Sequence, residues 1–268
     1  MTSSFSWRRS YAVFGRFYFL YRRSIPRTME LFFWPVMDLL VWGFLAIWLE
    51  RQTEQVPGAV LMLVGAVIYW NMLYRAQMGL TISFIEELWS RSAINLFASP
   101  ISLPEYLTAT CAVGLCKAVI SSAAMVLVAW LMYRAELWTI GPNAVWMFFH
   151  VLVFGWAIGI MTISMILRWG HAAEALTWGV PFLLQPLSAV FYPVSAMPGW
   201  LHPIAYALPS THVFEALRGT LAGGGFPLRA FLTAGALNIA YLLLGVALFV
   251  RTFRHALRRG SLPRLGHE

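Results

Sequence analysis

Charge is scarce in this chain. Only 11% of its residues are Asp, Glu, Lys or Arg, against about 25% in a soluble globular domain, which leaves too few polar side chains to cover a water-exposed surface. Lysine is nearly missing: Lys117 is the single example among 19 basic residues. It sits in VGLCKAVI, so no phosphate-cradling G-x-x-x-x-G-K-[ST] loop can be written, and the chain is not expected to hydrolyse ATP by itself. Cysteine is limited to Cys111 and Cys116. Five residues apart on one apolar helical stretch, they point in different directions and do not bridge, and they are expected to be two small buried hydrophobes. The histidines show no metal-ligand spacing, and neither H-E-x-x-H nor C-x-x-C occurs, so no resident metal is expected. His202 and His212 share one segment, with Ser210 and Thr211 just before His212, but adjacency alone does not make a nucleophile and base. No catalytic residue is assigned and no cofactor is expected.

What is present is apolar. Hydrophobic residues make up 60% of the sequence, and they gather into runs of the roughly 20 residues that a spanning helix needs. Six such runs stand out: Thr28 to Leu49, Gly58 to Leu80, Leu103 to Tyr133, Ala144 to Leu167, Ala172 to Phe191 and Leu228 to Val250. The expected fold is an all-α polytopic membrane protein with about six transmembrane helices in one domain. The net charge of +8 does not point to nucleic acid, because the arginines flank apolar runs, which is how orientation in a membrane is set. Arg8, Arg9, Arg16, Arg22, Arg23 and Arg27 precede the first run, and Arg251, Arg254, Arg258, Arg259 and Arg264 follow the last. With Arg75, Arg91 and Arg168 they place fourteen arginines on one side, against Arg51, Arg134, Arg218 and Arg229 on the other. The basic side is the cytoplasmic one, which puts both termini inside and suggests a bacterial inner membrane. Arginines ahead of so long an apolar run also argue against a cleaved signal.

Three segments are not plain spans. The first 27 residues interleave rings and cations (WRRSYAVFGRFYFLYRR), the pattern of a helix lying in the lipid headgroup layer. Residues 82–102 are too polar to span yet keep an apolar side, which predicts a short amphipathic helix at the cytoplasmic surface, ended by Ser99 and Pro100. Residues 192–227 carry Pro193, Pro198, Pro203 and Pro209, which forbid one continuous helix, but are too apolar for a loop in water. Short re-entrant helices packed on protein fit this outer segment. Within the spans, Asp38 is the clearest intramembrane charge, with Arg75 and Lys117 as candidate ion-pair partners; a structural pair is the simpler expectation. Glu215 and Arg218, three apart, predict a local helix pair.

Taken together, the basic N-terminal helix, ELWSRSAINLFASPIS and FYPVSAMPGWLHPIAYALPSTHVFEALRG resemble, over nearly the whole chain, the membrane subunit of the type 2 ABC export permeases. The resemblance implies two associated permease subunits, expected to be identical, with two separate ATPase subunits beneath them that bind the ATP. It implies that Glu86, Glu87, Trp89, Arg91 and Asn95 form a coupling helix on the ATPase, with Arg168, His171 and Glu174 as a second cytoplasmic contact. It also implies an outer gate that contains Tyr192, Pro193, Pro198, Trp200, Pro209, Glu215 and Arg218. The exported substrate that the resemblance implies is a polysaccharide, a lipid-linked or amphipathic compound, or a drug. Two other classes compete: an integral enzyme acting on lipid, and a membrane anchor for a cytoplasmic partner. An ATPase encoded beside this chain favours export over both.

Overall fold

The computed structural model describes residues 5–52, 58–90 and 99–259, and every regular element among them is helical. In chain order these are α1 (Trp7–Arg22), α2 (Ile25–Gln52), α3 (Ala59–Trp89), α4 (Leu103–Tyr133), α5 (Asn143–Trp169), α6 (Leu176–Leu187), α7 (His202–Tyr206), α8 (Pro209–Leu221) and α9 (Leu228–Arg259), with short 3-10 turns between α4 and α7. Among the described residues, five helices are long and apolar enough to cross a membrane: α2, α3, α4, α5 and α9. Helices α3 and α5 form the centre. Over their most apolar stretches 72% of residues are buried, against 28% in α2 and 22% in α9, so the last two present their apolar faces outward, as a bilayer allows.

Glycine sets how closely the central helices meet. A Cβ on Gly79 of α3 would collide with the Cα of Gly114 on α4, and one on Gly155 of α5 would strike Leu73 O and Ala76 Cβ on α3. Small residues at such crossings bring backbones together, which is the main way helices gain packing energy inside lipid. The two largest apolar cores lie toward opposite ends of the bundle. The basic end, where Trp89 closes α3, is filled by Phe17, Phe84, Tyr106, Ile163 and Phe249. The far end is filled by Tyr69, Trp70, Trp146, Phe154 and Phe214.

The expected spans agree with five of these helices, and the fifth run is the exception. Instead of a span from Ala172 to Phe191, the chain forms α6, twelve residues long, about 18 Å at 1.5 Å per residue. That falls short of the roughly 30 Å hydrocarbon core. Pro181 and Pro186 lie inside α6 and remove backbone donors, and Ala189 takes a left-handed φ of 52° just beyond it. The passage is nevertheless made. Glu174 touches Trp89 at one end of α3, whereas Val190 joins the far-end core. Helix plus turn does the work of a full span.

The N-terminal helix also differs from a helix lying flat in the headgroups. Arg9 of α1 contacts Glu105 of α4, and Lys117 of α4 lies over the Tyr21 ring of α1, 4.3 Å from its centroid. The same spacing separates both pairs along their helices, so α1 runs lengthwise beside the first half of α4. Its inward stripe is Ser10, Val13 and Phe17, spaced for one helical face, while Trp7, Tyr11, Tyr18 and Phe19 remain exposed. Cys111 and Cys116 are both free, and Cys116 is exposed rather than buried, because it falls on the outward face of α4.

Candidate functional site at the basic end

Helix α3 continues unbroken to Trp89. Glu86, Glu87 and Trp89 therefore belong to the last turns of a membrane-crossing helix, not to a separate surface helix, while Arg91 and Asn95 lie outside the described residues. The two glutamates face inward. Glu87 is only 1% exposed and meets Arg16 of α1 at 2.6 Å; Glu86 lies 3.1 Å from Arg27 at the start of α2. Both carboxylates are thus engaged by arginines of the same subunit. An acidic pair between two basic helices gains more from arginine than from solvent, because a carboxylate buried beside apolar residues needs a cation.

The other flank of the segment is tied in the same manner. Ser102 and Glu105 form a capping box at the start of α4, with the Ser102 N–H donating to Glu105 at 2.8 Å. Glu105 also accepts from the Ser6 N–H at 2.6 Å and from Arg9 Nη2 at 2.6 Å and Nε at 3.0 Å. That hydrogen bonding raises the Arg9 guanidinium above its ordinary pKa. Helix α1 thus holds both sides of the connection between α3 and α4. Burial pushes the Tyr21 phenol at its other end well above the ordinary range, which keeps it neutral beneath Lys117.

A third strand of chain converges here. The Trp89 indole N–H donates to both Glu174 oxygens, at 3.2 and 3.3 Å, so the end of α3 and the α5–α6 connection, two separate expectations, are one surface. Arg168 lies over Trp169, with 5.4 Å from guanidinium carbon to ring centroid.

Deeper in the bundle, Asp38, Arg75 and Lys117 do not form an ion pair among the described residues. Arg75 is buried and donates to the Glu30 carbonyl at 3.1 Å, Lys117 uses the Tyr21 ring, and Asp38 is exposed on the outer face of α2. Helix rotation explains the miss: Leu31, Pro35 and Leu39 take the inward face of α2, which turns Asp38 away.

At the far end, residues 192–227 fold as expected into short helices, with α8 buried through Pro209, Val213, Phe214 and Leu217. Glu215 and Arg218 pair at 2.9 Å. They also do more than a local pair: Glu215 accepts from the Val194 N–H at 2.8 Å, and Arg218 reaches the Val190 carbonyl at 3.4 Å. Tyr192 donates to the Pro186 carbonyl, Pro193, Pro198 and Trp200 are exposed, and Phe191 stacks on Trp42 of α2 at 3.8 Å.

The profile of the ABC-2 type transporter family matches residues 15–222, from α1 through α8. The chain belongs to that family. It is a transmembrane ABC permease subunit, and such a permease works with an ATPase subunit. Among curated proteins, no match to the chain is found. Sequence reasoning found the segments of the permease but missed Arg9, Arg16, Arg27 and Glu105. The capping-box spacing Ser102 to Glu105 was the available signal for the last; nothing local pairs Arg9 with a residue 96 positions away.

Proposed function

We propose that this permease is an exporter subunit of a bacterial inner membrane, with both termini cytoplasmic. Two copies form the pathway, and two copies of a separate ATPase subunit drive it from the basic end. One observation carries this reading: the connection between α3 and α4 is clamped on both sides by α1, through Arg16 to Glu87 and Arg9 to Glu105. A rigid-body push on that connection reaches α1, α3 and α4 together, as a coupling element requires. In this scheme Trp89, Arg91 and Asn95 meet the ATPase, with Arg168, His171 and Glu174 beside them, and Glu86 and Glu87 fasten the contact to the bundle.

The pathway runs where two copies face each other across α2 and α6. Exposed Trp34, Val41 and Trp48 share the outward side of α2 with Asp38, and a carboxylate at that depth calls for a wet or protein-lined neighbour. Tyr192, Pro193, Pro198, Trp200, Pro209, Glu215 and Arg218 form the outer gate. The substrate is amphipathic or lipid-linked, which suits an aromatic, mostly apolar lining around one acidic group.

Co-expression with the ATPase encoded nearby, reconstitution, and a screen for compounds that stimulate ATP hydrolysis test the proposal. Wild-type permease should co-purify with the ATPase and raise its turnover. If Trp89 and Arg91 replaced together by alanine left association and transport intact, the coupling assignment would be wrong.

A further inference from the structure

Helix α1 ends at Arg22 and α2 begins at Ile25, and the elbow between them holds a pocket. Its volume is about 640 Å³, and it is lined by Arg16, Phe19, Leu20, Arg23, Ser24 and Arg27. Three guanidinium groups and a hydroxyl converge there without a carboxylate in the lining. Arg16 is already engaged by Glu87. Arg23 has no acidic partner among the described residues. Arg27 Nη1 is buried and makes no hydrogen bond, although Glu86 Oε1 is 3.1 Å away. Cationic forks and a hydroxyl match the oxygens of a phosphate.

The apolar half of the pocket narrows the source. Phe19 and Leu20 are exposed in its wall, and beyond Arg27 the outward surface of α2 continues as Met29, Phe32 and Phe33. The pocket therefore stands where a spanning helix begins, with a greasy track leading from it toward the bilayer.

We propose that this elbow binds the phosphate group of an anionic membrane lipid, with Arg23, Arg27 and Ser24 on the phosphate and the acyl chains along Phe32 and Phe33. The site is independent of what the permease transports. A soluble phosphate shares the headgroup chemistry, and the test separates the two.

Native mass spectrometry of the full-length permease in micelles holding equal phosphatidylglycerol and phosphatidylcholine reads the site directly. The expected result is selective retention of phosphatidylglycerol. Arg23→Gln, an exposed position, should weaken retention about tenfold, the size of one charge-assisted hydrogen bond, with an unchanged thermal unfolding profile. Arg22→Gln, which removes the same charge outside the pocket, should bind like wild type. Equal retention of both lipids, no change in Arg23→Gln, or an equal loss in Arg22→Gln would each overturn the proposal. In a second arm, glycerol 1-phosphate at concentrations comparable to the lipid should leave the adduct in place; displacement would assign the pocket to a soluble phosphate and overturn the lipid assignment.

Discussion

Arg16 crosses from α1 to Glu87 on α3 at 2.6 Å, and Glu87 is 1% exposed while Arg16 is 41% exposed. The geometry is asymmetric: solvent can hydrate the arginine if the contact is lost, but not the glutamate. Breaking it from the two sides therefore costs different amounts.

Arg16→Ala should cost about 1–3 kcal/mol of unfolding free energy, the range for a buried acceptor losing its partner. Glu87→Gln, which keeps the shape and removes the buried charge, should cost less. Thermal denaturation in detergent of both single variants and the double variant checks this, since the double variant should lose little beyond Arg16→Ala.

The backbone contact between Gly79 and Gly114 makes a sharper prediction. Alanine at either position meets main chain, which cannot rotate away. Either substitution should destabilise by about 1–3 kcal/mol, the usual cost of overpacking. Gly15→Ala is the control: it has open space and sits inside α1, where alanine should add roughly 0.5–1 kcal/mol through helix propensity. Unfolding midpoints should move in opposite directions for the two classes.

At the far end, Glu215 should act as a pin. Glu215→Ala releases both the Val194 N–H and Arg218 and should speed amide exchange over residues 190–200 by roughly tenfold, as expected for losing one net hydrogen bond to a charged group. Glu215→Gln retains an acceptor for Val194 and should fall between. Hydrogen exchange followed by peptide mapping distinguishes the three proteins.

Asp38 supplies the fourth test. A structural ion pair would make its removal cost about 3–5 kcal/mol. With Asp38 exposed and Arg75 bonded to Glu30, Asp38→Asn should leave permease stability within about 0.5 kcal/mol and lower transport. A large drop in melting temperature would show that Asp38 is held by a partner within the subunit.

Much of this architecture is legible in the sequence, because bilayer thickness imposes length and composition on α2, α3, α4, α5 and α9 directly. Hydropathy failed at α6 since it counts apolar residues and gives no weight to Pro181 and Pro186, which shorten the helix without lowering its hydrophobicity. The outer segment was visible through its prolines. The arginine partners of the glutamates were hidden for a different reason: on an amphipathic stretch a carboxylate facing solvent and one facing arginine look alike, and Arg16 and Arg27 lie far back in the chain. Asp38 was paired by depth alone, whereas its azimuth on α2 governs what it meets.

Where α3 meets α4, main chain touches main chain at Gly79 and Gly114, leaving no layer of side chains to compress or re-sort. The two helices are thereby obliged to travel as one body in any change of shape. Bending is cheaper in α6, which is short, carries Pro181 and Pro186 without their backbone donors and is followed by the left-handed Ala189.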